Sequence, residues 1–110
     1  MKQRFSEMAK THDLIGDVRG AGLILGVELV KNRETKEPAS REAAKFCYQA
    51  WKNRLLTAYV GLNSNVIEIT PPLILTMDQA EHGLQIFEQT LSDIETGKVP
   101  DSAVAPFAGW

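Results

Sequence analysis

The stretch that decides the fold is IGDVRGAGLILGVEL, residues 15–29. Its middle holds the small residues Gly20-Ala21-Gly22, and the segment 23–30 that follows is mostly branched apolar residues, with one carboxylate, Glu28. Branched apolar residues between a glycine turn and a polar loop are typical of a β-strand. We therefore predict a strand over 23–30 that is buried on both faces for most of its length.

The glycines of this stretch also invite a comparison with dinucleotide-binding loops. Such a loop needs the pattern GxGxxG after a strand and at the start of a helix, where the phosphate meets the helix N-terminus. Here the third glycine, Gly26, comes one residue too late, and a predicted strand follows. A tight turn entering a strand is therefore the favoured interpretation.

Working outward, the apolar spacing predicts three helices and two more short strands. The helices are expected over 2–11, from a cap at Ser40, and from a Thr76–Gln79 capping box to Gly97. The strands are expected over 55–60 and 66–70. The second helix is predicted to face the core with Ala43, Cys47, Ala50, Trp51 and Arg54. This order predicts an α/β (α+β) domain with a small antiparallel or mixed sheet of about three to four strands and helices on one face.

Composition excludes several classes of protein. The formal net charge of −2 and the scattered distribution of the 12 Lys and Arg residues argue against nucleic-acid binding. The single cysteine, Cys47, excludes an intrachain disulfide and a CxxC metal site, and it favours a cytoplasmic location. The most apolar run stops at Glu28 and is too short for a membrane span. We expect no nucleic-acid or membrane partner.

The chain offers few residues for chemistry. His12 and His82 have no partners at metal-ligand spacing, and Cys47 is predicted to face the core, where thiols are inert. Arg19, beside the glycine turn, could pair with a carboxylate of the protein or of a ligand. Glu68 interrupts an apolar strand, which fits either an edge strand with one wet face or a position lining a cleft. The residues predict no catalytic, cofactor-binding or metal site, and leave Arg19 and Glu68 as substrate-cleft candidates.

Two motifs carry a resemblance to a known family. Residues 15–29 resemble the opening of the C-terminal small domain of class III aminotransferases, which are pyridoxal-phosphate enzymes of fold type I. The segment NVIEITPPLILT, residues 65–76, with the capped helix after it, resembles a second motif of that domain. The resemblance covers about residues 13–94 and implies the small domain at 13–97. The uncapped helical pattern at the start predicts the end of an incoming helix at 1–12, and Phe107 and Trp110 predict a packed tail at 98–110, because exposed rings would forgo favourable burial.

The resemblance also implies a function. In the family, a large domain of the same polypeptide holds pyridoxal 5'-phosphate and supplies the Schiff-base lysine, while the small domain closes the substrate cleft. The complete enzyme would transfer an amino group from an amino acid or amine to a 2-oxo acid, as a homodimer. We expect the 110-residue chain alone to bind no cofactor and to be inactive. The alternative is a freestanding, non-catalytic module derived from this domain, which would act in protein–protein interaction.

The two candidate residues compare differently with the family. Arg19 matches a family-typical arginine and is interpreted as structural, tying the glycine turn to a neighbouring element. Glu68 stands where ornithine-type members carry an arginine that grips the substrate carboxylate. A second arginine, used by some omega-aminotransferases, would fall near Thr57 and Ala58 and is absent. Three hypotheses for Glu68 follow: it disfavours a substrate carboxylate, attracts a substrate ammonium, or faces solvent.

Overall fold

The computed structural model describes residues 1–107, which form three α-helices and a four-stranded sheet. The helices are α1 (Lys2–Met8), α2 (Ser40–Lys52) and α3 (Met77–Glu95), and the strands are β1 (Ile15–Ala21), β2 (Ile24–Leu29), β3 (Ala58–Val60) and β4 (Val66–Ile69). Two short 3₁₀ turns follow, Asp101–Ala103 and Ala105–Phe107. The predicted α+β class with a small antiparallel sheet is confirmed.

The sheet has the strand order β1-β2-β4-β3, and every neighbouring pair is antiparallel. Buried side chains point to one face of the sheet, where Val27 and Ile67 pair across β2 and β4 and are fully buried. The three helices pack on this side, and their buried residues join one core with those of the sheet. We call this side the covered face and the other side the open face.

The strand predictions needed two corrections. First, β1 was not predicted, because Gly16, Asp17, Arg19 and Gly20 break the apolar alternation of an edge strand. Second, β2 is not buried on both faces: its buried residues alternate, and Ile24 is 74% exposed. An antiparallel sheet with helices on one side leaves its other side open, so alternation replaces the expected continuous burial.

The core is centred on Phe87 of α3. Its ring lies 4.8 Å from Phe5 of α1 and 4.5 Å from Phe46 of α2, measured between ring centroids. The helical apolar spacing that predicted α3 forms a stripe along this helix, and it is confirmed at Leu84, Phe87 and Leu91, which are buried. For α2 the buried residues are Ala43, Phe46 and Ala50, at spacings of three and four. Trp51, predicted to face the core, is 64% exposed because it lies one residue, about 100° of helix, past this face.

The helix starts also divide into one correct and one wrong prediction. Thr76 and Gln79 form the predicted capping box, with the two side chains accepting from each other's backbone N–H groups at 3.2 and 3.0 Å. Ser40 does not cap α2. The helix starts at Ser40 itself, whose hydroxyl instead donates to the carbonyl of Asn63.

A buried carboxylate joins α2 to α3. The side chain of Asp93 accepts hydrogen bonds from Gln89 (2.9 Å), Gln49 (3.0 Å) and Asn53 (3.2 Å), and Lys98 lies 3.4 Å away. Burial by itself would raise the pKa of Asp93, but these hydrogen bonds outweigh it and hold the pKa below its usual value. This polar network therefore favours the ionised carboxylate in the folded state.

The residues after α3 lie against α2. Val99 and Val104 are buried, and Asp101 forms ion pairs with Lys45 (2.6 Å) and Arg41 (2.9 Å). Hydrogen bonding to Lys45 and the charges of both cations lower the pKa of Asp101. Trp110, part of the predicted packed tail, lies outside the described residues. Within residues 1–107, no helix is both long and apolar enough to cross a membrane.

Candidate functional site

The two candidate residues share one row of the open face. Arg19 pairs with Gly26 across β1 and β2, Gly26 pairs with Glu68 across β2 and β4, and Glu68 pairs with Ala58 across β4 and β3. Residues paired in this way place their side chains on the same face of the sheet. We call Arg19, Gly26, Glu68 and Ala58 the cross-strand row. Only the sheet topology shows this juxtaposition, because Arg19 and Glu68 are 49 positions apart in the sequence.

Arg19 is held between two carboxylates. Its Nη1 atom lies 3.0 Å from Asp17 on the same strand and 3.2 Å from Glu28 on β2. The hydrogen bond to Asp17 and the charge of Glu28 raise the pKa of Arg19 further above its ordinary value. The charge of Arg19 is therefore balanced within the chain, and its side chain joins β1 to β2.

Glu68 lies on β4, which pairs with β2 on one side and β3 on the other. The edge-strand explanation is therefore wrong, although the side chain does lie on an open, exposed face. Its two cross-strand neighbours, Gly26 and Ala58, are small and cannot cover it. Within the described part of the chain, Glu68 has no ion pair or side-chain hydrogen bond. Glu68 is thus the unbalanced charge of the cross-strand row.

An apolar groove of about 630 Å³ opens where β3 and β4 meet α1 and α3. Its floor includes the core residues Phe5, Leu84 and Phe87, and its rim includes Glu68 and Thr70 at the end of β4. Leu56 in the groove lining is almost fully exposed. The same holds for Leu73 and Ile74 in the loop that follows β4. Groove and loop together expose more apolar surface than scattered surface residues would, a pattern typical of an interaction site.

The described residues do not fit pyridoxal phosphate by themselves. The groove lining contains no lysine that could form a Schiff base, and its single carboxylate, Glu68, would repel a phosphate. A second cavity of about 820 Å³ has Lys31 in its lining. The amine of Lys31 is half exposed and 3.9 Å from Glu37, whereas nucleophilic lysines are desolvated. We therefore derive no chemical step through the cofactor from these residues.

Two further groups lie outside the cross-strand row, His12 and Cys47, and Cys47 agrees with the prediction of an inert thiol that faces the core. His12 is buried, with Nδ1 2.7 Å from Glu95 and Nε2 3.4 Å from Glu88, so it anchors the segment between α1 and β1 to α3. Glu81, Glu88 and Glu95 are spaced seven residues apart, which places them along one side of α3. This spacing was the available sequence signal for a row of contacts with the N-terminal segment. Glu81, the first of the three, pairs with Arg4 at 2.5 Å. Burial raises the pKa of the Cys47 thiol, which weakens it as a nucleophile.

Comparison with known proteins agrees with this architecture. A family model described as class III aminotransferase matches residues 1–91. The chain belongs to the class III aminotransferase family. Its fold is also that of fold type I transaminases: a Bacillus anthracis aminotransferase superimposes with a TM-score of 0.77 and 26% identity over 83% of this chain. The match spans 21% of the Bacillus anthracis chain.

Two relatives of this chain are named as amino acid racemases and not as aminotransferases. A leucine/methionine racemase from Thermococcus litoralis is 43% identical over 108 residues, which is 98% of this chain and 24% of the relative. An alanine/serine racemase from Pyrococcus horikoshii is 43% identical over 101 residues, which is 92% of this chain and 21% of the relative. The chain thus spans about a quarter or less of these relatives.

Proposed function

We propose that this chain is the C-terminal small domain of a pyridoxal-phosphate-dependent class III enzyme and closes one side of its substrate cleft. The superposition on about one fifth of a complete aminotransferase carries the proposal. The apolar groove and the unpartnered open face support it, because both are surfaces that a larger domain of the same polypeptide could cover. As parts of the same proposal, the complete enzyme is cytoplasmic and homodimeric.

The proposal divides the chemistry between two parts of the enzyme. Bound pyridoxal phosphate supplies an electron sink for reactions at the substrate α-carbon. The lysine, phosphate contacts and acid that hold it belong to polypeptide outside these 110 residues. The residues described above contribute shape and charge: the groove excludes water, and the cross-strand row sets the electrostatic potential at the cleft.

Two reactions are candidates for the complete enzyme. The family match and the superimposed aminotransferase favour transamination between an amino acid or amine and a 2-oxo acid. The two racemase relatives favour inversion of the α-carbon of a neutral amino acid, without an amino acceptor. The two reactions differ in stoichiometry, since only transamination consumes a 2-oxo acid.

The deciding experiment uses the full-length enzyme loaded with pyridoxal phosphate. L-leucine or L-alanine is supplied with a 2-oxo acid in one reaction, and alone in D₂O in another. Formation of a new amino acid from the 2-oxo acid shows transamination, whereas loss of optical activity with deuterium at the α-carbon and no acceptor shows racemisation. If neither product forms with any of a panel of amino acids and amines, the proposed enzymatic function is wrong.

A second experiment separates a cleft domain from a freestanding module. The purified 110-residue chain is mixed with pyridoxal phosphate, and we expect no visible absorbance of a lysine-linked cofactor. The matched sample is the full-length protein, which should show that absorbance and lose it when the large-domain lysine is replaced. A reading frame that does not continue into a cofactor-binding domain would favour the interaction module.

A further inference from the structure

Glu42 carries a buried carboxylate oxygen that the described residues do not satisfy. It lies in the first turn of α2, and its Oε2 atom is closed off from solvent and has no hydrogen-bond partner within residues 1–107. A buried acceptor without a donor is unfavourable, and more so when it belongs to a charged group. The folded chain therefore needs an N–H or O–H group at this oxygen that residues 1–107 do not supply.

The cations near Glu42 are engaged elsewhere. Arg41, its neighbour in α2, and Lys45, one turn further along, both pair with Asp101, at 2.9 and 2.6 Å. Lys31, the other cation in the lining of the second cavity, lies 3.9 Å from a different glutamate. None of these three cations contacts Oε2, so the missing donor is of another kind.

The second cavity, of about 820 Å³, brings Glu42 together with the last residue that the structure describes. Glu42 and Phe107 both line it, and Ala44 and Val104 contribute apolar walls. The side chain of Phe107 is 51% exposed, so it does not fill the cavity. Residues 108–110, Ala-Gly-Trp, come next in the sequence. Three residues span up to about 10 Å, which puts the cavity within their reach from Phe107.

We propose that the indole of Trp110 occupies this cavity and donates a hydrogen bond from Nε1–H to Oε2 of Glu42. The indole nitrogen is a donor only, which suits a carboxylate that lacks a donor. Its ring suits the apolar walls, and a buried tryptophan N–H usually has a hydrogen-bond partner. The cavity is then a receptor for a residue of the chain itself. The inference does not depend on the proposed function, because it concerns contacts within these 110 residues alone.

Fluorescence of the full chain measures the exposure of Trp110. The sequence has two tryptophans, so Trp51→Phe leaves Trp110 as the only indole. The matched control is Trp110→Phe, which leaves Trp51, a residue that is 64% exposed. We expect Trp110 to emit at a shorter wavelength than Trp51 and to be quenched several-fold less by acrylamide. Both differences should disappear in urea, where the two indoles are equally exposed.

A double-mutant cycle tests the hydrogen bond itself. Glu42→Met removes the carboxylate at similar side-chain length, and Trp110→Phe removes the N–H while keeping an aromatic ring. In urea denaturation, Glu42→Met should raise the equilibrium constant of unfolding about tenfold or more further in the wild type than in the Trp110→Phe background, where the carboxylate is already unpaired. Glu42→Met combined with Trp51→Phe is the control and should show no coupling.

Three results would overturn the inference. Emission and quenching of Trp110 equal to those of Trp51 would place the indole in solvent. Protection of Trp110 without coupling to Glu42 would mean that another group satisfies the carboxylate. Protection that increases with protein concentration would assign the cavity to the indole of a second copy of the chain. The fluorescence test needs only tryptophan-to-phenylalanine changes, so it decides the matter even if Glu42→Met does not fold.

Discussion

The covered and open faces of this sheet use the same strands in opposite ways. On the covered face, residues from all three helices and the sheet meet in one core around Phe87. On the open face, the strands carry Arg19 between two carboxylates, the exposed Glu68 and an exposed isoleucine, Ile24. Burial decides stability, whereas charge at an exposed surface decides what can approach it. The comparison predicts that substitutions on the covered side change folding and those on the open face change selectivity.

The largest loss of stability is expected from Phe87→Ala. This ring packs against Phe5 and Phe46, and its removal would leave a cavity that the three helices cannot fill. We expect the free energy of unfolding of the purified chain to fall by about 3–5 kcal/mol. Urea denaturation measures it. Leu62→Ala, at a fully exposed site, is the control and should change it by less than about 0.5 kcal/mol.

The next largest effect is expected at the β1–β2 hairpin. Gly20 has a φ of 118°, and a Cβ there would lie 2.1 Å from the carbonyl oxygen of Ile24. Gly20→Ala should therefore destabilise the chain by about 1–3 kcal/mol. Gly83→Ala is the matched control, because a Cβ at this helical glycine would meet open space. This substitution should raise the free energy of unfolding by about 0.5–1 kcal/mol. Equal effects of the two substitutions would contradict the structure.

A smaller loss, with a defined pH dependence, is expected for Asp93→Asn. The variant disturbs the network that joins α2 to α3 and should cost about 1–2 kcal/mol at neutral pH. Because the pKa of Asp93 is lowered on folding, its stabilisation is complete above the ordinary carboxyl range and is lost as the pH falls through the lowered pKa.

Urea titrations of wild type and Asp93→Asn at several pH values test this. The difference in unfolding free energy should stay constant above about pH 5 and shrink towards pH 3. Asp101→Asn is the comparison, because Asp101 is also paired but its side chain is 63% exposed. A constant difference across the whole range would show that the charge of Asp93 does not contribute.

The smallest effect on stability is expected on the open face. Arg19 and Glu28 form a solvent-exposed pair, so a double-mutant cycle with Arg19→Gln and Glu28→Gln should give a coupling energy below about 1 kcal/mol. Added salt should reduce it further. A coupling above 2 kcal/mol, on the scale of buried pairs, would mean that this face is not open in solution.

Much of this fold could be predicted from local patterns. The capping box at Thr76 and the stripe on α3 were found because both depend on residues a few positions apart. The strand β1 and the exposure of Trp51 were missed, since the first depends on pairing with β2 and the second on how α2 rotates against the core. His12 contacts residues of α3 that lie 76 and 83 positions away in the sequence, and local patterns do not predict which distant residues meet.

Local sequence patterns also predict only part of the candidate site. Arg19 and Glu68 were both selected from their neighbours in the sequence, each as a separate charge near an apolar segment. The strand order β1-β2-β4-β3 brings Arg19 and Glu68 into one row. The pairing of β1 with β2 also brings Glu28 to Arg19, which contacts Asp17 as well, whereas Glu68 stays unbalanced.

By itself, the order of residues determined the family, the α+β class and the helix α3, because motifs and periodicity are short-range properties of a chain. Which face of the sheet is covered, which charge remains unbalanced and where the apolar groove opens were decided only in three dimensions. Those features arise when strands distant in sequence come into register, and pairing of that kind depends on the whole chain packing at once.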